Sequence, residues 1–167
     1  MLAGAAVARL DGAARLILRD GELARDAVQD AMLRAWRDLP GLRDPDRFDA
    51  WLRRLTVNAC LDVARRRHRR SIEVELTPIL MPSVADESAG VADREQLDAA
   101  LRRLEPEWRA IVVQHFFLGM PLTEIAVAMG IPVGTVKSRL HRSLVAMRTT
   151  LAVDLEAIEP VPGGQFA

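Results

Sequence analysis

The stretch GIPVGTVKSRLHRSL, residues 130–144, contains no acidic residue, and its reading decides how the rest of the chain is understood. Val136, Leu140 and Leu144 recur every fourth position and Met147 follows, so one apolar stripe of a helix runs through it. Thr135, Lys137, Ser138, Arg139, His141 and Arg142 fall outside that stripe or at its margins. Donor-rich side chains in the first half of such a helix suit the major groove, where guanine N7 and O6 accept from Lys or Arg. A solvated basic face is the alternative. The missing acids weigh against it, because a merely soluble helix usually alternates the sign of its charges.

The residues just upstream supply the other half of a helix-turn-helix. LTEIAVAM, residues 122–129, predicts a short helix over Glu124–Met129, with Thr123 as its N-cap and Glu124 near the positive end of the dipole. Gly130 offers a turn in which positive φ carries no steric cost, and Pro132 separates the two segments. Ala126 is small where two helices cross closely, and Val136 is spaced to pack back against it. Further upstream, REQLDAALRRL reads as a helix with Leu97, Ala100, Leu101 and Leu104 inward. Pro106 opens the next, PEWRAIVVQHFFLG, with Glu105 and Glu107 where the dipole favours acids, and Gly119 closes it.

The N-terminal block is also helical in pattern. GELARDAVQDAMLRAWRDL places Leu23, Ala27, Val28, Ala31, Met32, Ala35 and Trp36 on one stripe, which predicts core packing for Trp36, with stacking on melted DNA as the alternative for Trp36, Phe48 and Trp51. Pro40 and Gly41 stop that helix, and twenty residues precede Gly21. Asp46 is the expected N-cap of the following helix, whose inward residues are Phe48, Trp51, Leu52, Leu55, Ala59 and Val63. Between the two blocks, SIEVELTPILMPSVADESAG loses periodicity and carries prolines, hydroxyls and acids, as a linker does. The C-terminal PVPGGQFA reads as a frayed tail.

The expected fold is therefore all-α: two small helical domains joined by a flexible linker, the C-terminal one containing the helix-turn-helix. The boundaries are residues 1–70, a linker over 71–92, a second domain over 93–152 and a tail over 153–167. With 167 residues, no Tyr and abundant Ala, Leu and Arg, the composition agrees. The net charge of zero conceals segregation: the balance is +5 over residues 1–70, −6 over 71–98, +4 over 99–150 and −3 thereafter. Two basic blocks flanking an acidic one fit two modules that face a polyanion.

Several function classes drop away. The lone Cys60 rules out an intrachain disulfide and a multi-cysteine zinc site, and its spacing predicts a buried, inert thiol. His68, His115 and His141 show no metal or triad spacing, so neither a metal, a cofactor nor an enzyme is expected. No apolar run reaches the roughly 18 to 20 residues of a membrane span, and no secretory signal opens the chain, so a cytoplasmic protein without membrane insertion is expected.

The two blocks together resemble a known family. LRRLEPEWRAIVVQHFFLGMPLTEIAVAMGIPVGTVKSRLHRSLVAMR is similar to the fourth conserved region of bacterial RNA polymerase sigma factors, especially the extracytoplasmic-function group. RDAVQDAMLRAWRDLPGLRDPDRFDAWLRRLTVNACLDVARRR resembles their second conserved region, in the correct order. The resemblance implies a non-catalytic factor that directs core RNA polymerase to promoter DNA, is restrained by an anti-sigma partner and takes no small-molecule substrate. It places Asp26, Gln29, Asp30 and Arg34 on the helix that docks on a coiled coil of the largest polymerase subunit. It places Leu42, Arg43, Asp44 and Asn58 at a pocket for a base flipped from the −10-like element, with Arg65, Arg66 and Arg67 on phosphates beside it. Many members have phenylalanine where this chain has Leu42. Thr135, Lys137, Ser138, Arg139, His141 and Arg142 face the −35-like element, with Thr135 and Arg139 expected on phosphates. A stand-alone helix-turn-helix regulator with an N-terminal dimerisation or effector domain is the competing reading.

Overall fold

The computed structural model describes residues 2–73 and 91–151, and every regular element among them is helical. Helices α1 (Leu2–Leu18), α2 (Gly21–Asp38) and α3 (Phe48–Glu73) form the N-terminal region. Helices α4 (Val91–Arg102), α5 (Pro106–Val112), α6 (Leu122–Met129) and α7 (Val133–Leu151) form the C-terminal one. The expected linker lies largely outside the described residues, as does the tail beyond Leu151; helix α3 extends to Glu73 and α4 begins at Val91.

Helix α1 buries Leu10, Ala13, Ala14, Ile17 and Leu18, a three-and-four spacing whose alanines let α2 and α3 approach closely. It ends at Arg19, which adopts φ 60, and Asp20 then caps α2 by accepting from the amides of Glu22 and Leu23 at 3.1 and 3.0 Å. Helix α2 buries Ala24, Ala27, Val28, Ala31 and Ala35, but Trp36 is 82% exposed. Its expected place in the core is overturned by helical geometry. Each four-residue step turns about 40° beyond a full circle. Along Val28, Met32 and Trp36 the side chains therefore pass from buried through half-buried to fully exposed.

A short 3₁₀ turn over Pro45–Arg47 leads into α3, and the capping acid is Asp44 rather than Asp46. The Asp44 carboxylate accepts from the Asp46 amide at 3.1 Å, because Pro45 fixes the first turn two residues earlier than the pattern suggested. Phe48 lies at the surface and packs obliquely on Trp51, with ring centroids 6.0 Å apart. Leu52, Ala59 and Cys60 are buried, and burial pushes the Cys60 thiol up to about 12. In α4, Ala100, Leu101 and Leu104 are buried as expected, whereas Leu97 is exposed.

Helix α5 passes into a π-helical turn over Val113–Phe117, which ends at Gly119 with φ +68. Gln114 is fully buried in this turn and donates to the Ala110 carbonyl at 3.2 Å. Helix α6 begins two residues earlier than expected. Pro121, not Thr123, occupies the cap position, and its carbonyl accepts from Glu124 and Ile125. Gly130 closes α6 in the left-handed region at φ +66, and the Ile131 amide bonds back to the Ala126 carbonyl at 3.1 Å.

The two regions share one continuous apolar core. Ile17, Val57 and Leu61 from the first join Leu101, Ile111, Met120 and Ile125 from the second. Helix α3 touches α5 and α6, and α1 touches α5 and the π turn. Phe117 rests against α1 at Gly12, where a Cβ would stand 3.0 Å from its ring, and Arg9 donates to the Phe117 carbonyl at 2.8 Å. No helix among the described residues is long and apolar enough to cross a membrane.

Candidate nucleic-acid interface

The basic helix of the opening stretch is α7. Its inward stripe is Val136, Leu140 and Met147, all buried, with Leu144 half-buried and Ser143 fully buried beside them. Ser143 satisfies its hydroxyl on the Arg139 carbonyl at 2.8 Å. Ala126 and Val136 are both buried, as close packing of α6 on α7 demands. This packing leaves Lys137, Ser138, His141 and Arg142 exposed along one side of α7, with Thr135 and Arg139 half-buried at its margin. Ser138 donates to the Thr135 carbonyl at 3.0 Å, and Arg139 is held by Glu107 at 3.0 Å. The exposed group carries donors at successive turns on a rigid helix whose position is fixed from behind.

A second surface is built where the N-terminal region meets α6. A cleft of about 560 Å³ is lined by Leu42, Arg47, Trp51 and Arg54 on one side and by Met120, Thr123, Glu124 and Val127 on the other. Leu42 thus shares this cleft with the Trp51 indole and the Arg47 and Arg54 side chains. Trp51, Arg54 and Asn58 follow one another at helical spacing, so Asn58 continues this face one turn along α3. Arg43 and Asp44 are exposed on the connector and do not line the cleft. Sequence reasoning passed over Arg47 and Arg54, although their three- and four-residue spacing to Trp51 and Asn58 was the signal that could have found them.

Beyond Asn58, α3 carries Arg65, Arg66 and Arg67, all exposed. Arg65 lies 3.7 Å from Asp62 and 3.3 Å from Glu107, and Arg67 lies 3.7 Å from Asp20. On α2, Asp26 and Gln29 are exposed. Arg34 is drawn to Asp30 at 2.6 Å and to Asp62 at 3.5 Å, which ties α2 to α3. Leu33 and Trp36, 58% and 82% exposed, extend this polar row as an apolar patch. Besides Cys60, the described residues whose titration is markedly shifted lie at the seam between the regions. Burial, then repulsion from Arg19, brings Arg109 down to about 10, and burial with repulsion from Arg102 lowers Arg19. Among the described residues no three His, Cys, Asp or Glu side chains gather as a metal site.

Residues 4–70 match the family model of Sigma-70 region 2, and residues 94–147 match that of Sigma-70, region 4. The chain is 36% identical over 145 residues to the RNA polymerase sigma-E factor of Streptomyces avermitilis, covering 86% of this chain and 80% of that protein. It is 35% identical over 135 residues to the ECF RNA polymerase sigma factor SigL of Mycobacterium tuberculosis, covering 79% and 76%. Against SigM of the same organism it is 40% identical over 132 residues, and here it spans 65% of the relative's length. The described fold is similar to that of the sigma factor RpoE from Bartonella quintana, solved in complex with the anti-sigma factor NepR. The TM-score is 0.77 over 89% of this chain and 93% of that one, at 23% identity. Two region models in order, on a helical scaffold, and curated relatives at 35 to 36% identity establish that the chain belongs to the extracytoplasmic-function group of RNA polymerase sigma factors.

Proposed function

We propose that this chain, acting in the cytoplasm, carries core RNA polymerase to promoters through two separate DNA contacts and contributes no catalysis of its own. The observation that carries this reading is the pair of surfaces on one scaffold: the donor row of α7, and the Leu42–Arg47–Trp51–Arg54 cleft with Asn58 and the arginines of α3. In this reading Lys137, Ser138, His141 and Arg142 read bases of a −35-like element, while Thr135 and Arg139 meet phosphates. The cleft and Asn58 hold an extruded base of a −10-like element, where the Asn58 amide offers both donor and acceptor. Arg65, Arg66 and Arg67 then steady the neighbouring backbone.

Helix α2 supplies the polymerase contact. Asp26, Gln29, Asp30 and Arg34 provide its polar part, and Leu33 with Trp36 the apolar anchor that the polar pattern alone lacked. An anti-sigma protein, as in the Bartonella complex, is the expected restraining partner. Purified core polymerase separates this reading from a stand-alone regulator. With the chain added, run-off transcription starts at defined promoters; a regulator instead binds its own DNA site tightly without polymerase and leaves core transcription unspecific.

A further inference from the structure

Glu107 stands in the first turn of α5 and reaches arginines on two other helices. Its Oε1 accepts from Arg65 Nη2 at 3.3 Å, and its Oε2 accepts from Arg139 Nη1 at 3.0 Å. Arg65 belongs to the basic run of α3, and Arg139 to the recognition helix α7. One carboxylate thus engages one cation from each DNA-facing element. A carboxylate and a phosphate present oxygens to a guanidinium in the same manner, so Glu107 occupies both arginines in place of DNA.

The interior of the same seam points the same way. Arg19, on the first region, forms an ion pair with Asp98 of α4. Arg109 is 7% exposed, donates to the Leu101 carbonyl at 3.3 Å and leaves its Nε without a partner; the Nε of Arg19 is likewise unpaired. Buried guanidiniums with unmet donors oppose closure, while the shared apolar core favours it. Opposed contributions of this kind leave a balance that weak surface ion pairs can tilt.

Resting on the promoter reading above, we propose that Glu107 is an internal latch that holds the two DNA-binding regions closed and competes with DNA phosphates for Arg65 and Arg139. The closed form cannot serve both promoter elements together. Those elements lie about 25 base pairs apart, on the order of 85 Å of duplex, whereas here both guanidiniums meet on one side chain. Reading a promoter therefore requires the latch to release.

The test uses the full chain bearing Arg25→Cys and Val145→Cys, spin-labelled on these exposed positions of α2 and α7 while Cys60 stays buried. Glu107→Gln shifts the label separation to longer distances and binds a short duplex of mixed sequence about three- to tenfold more tightly at low salt. Glu107→Lys, which repels both arginines, opens the seam further. Glu22→Gln removes an equal charge from an exposed site on α2 and leaves both readouts at the wild-type value. Wild-type separation and DNA affinity in both Glu107 variants would overturn the latch, as would an equal gain in Glu22→Gln. Promoter-specific transcription by the wild-type chain, assayed in parallel, shows whether the latch alone has failed or the promoter reading beneath it.

Discussion

Trp36 shows how much hangs on a rotation of a few tens of degrees. On the sequence it belongs to an apolar stripe, yet it stands 82% exposed at the end of the polar row Asp26, Gln29, Asp30 and Arg34. An exposed indole that supports no core is available for a partner. Trp36→Ala is therefore expected to change unfolding free energy by less than about 0.5 kcal/mol. The same variant should weaken binding to core polymerase by about tenfold or more. Chemical denaturation and a polymerase pull-down titration measure the two effects. A strongly destabilised variant with unchanged polymerase affinity would return Trp36 to a core role.

At the scale of the element, the turn between α6 and α7 sets the direction of α7. Gly130 has φ +66, and a Cβ added to it would have no neighbour within 4 Å, so the whole cost of a side chain there is backbone strain. Gly130→Ala should cost about 1 to 2 kcal/mol. Gly134, in the first turn of α7 and equally open, makes the contrast. Gly134→Ala should be neutral or stabilise by about 0.4 to 1 kcal/mol, since alanine restricts the unfolded chain. Thermal melts of the two variants give opposite signs if the turn is built as described. The helix-turn-helix was legible from Ala126, Gly130 and Val136 because their spacing encodes a local geometry. The cap assignments were less so. Pro45 and Pro121 each moved the start of a helix, shifting capping to Asp44 and to a proline carbonyl, and capping residues one or two positions apart look alike in a sequence. The π turn at Val113–Phe117 left no signal in apolar periodicity, since one extra residue in a turn hardly disturbs it.

Over the whole molecule, the two regions were separable in the sequence through charge blocks and a break in periodicity, but their mutual packing was not. Contacts such as Phe117 on Gly12, Arg19 with Asp98, and Arg65 with Arg139 on Glu107 join residues far apart in the chain, and no local pattern records them. Glu107 itself was legible only as a favourable acid at a helix start. The same long-range packing set Arg47 and Arg54 around the cleft. The central claim concerns this whole: one chain that reads two DNA elements for the polymerase. Sequencing the DNA retained from a randomised promoter library by core polymerase reconstituted with the chain tests it most directly. The account predicts two motifs at fixed spacing, of which only the upstream one changes when Lys137, His141 or Arg142 is replaced. A single motif, or an upstream motif indifferent to those replacements, would contradict it.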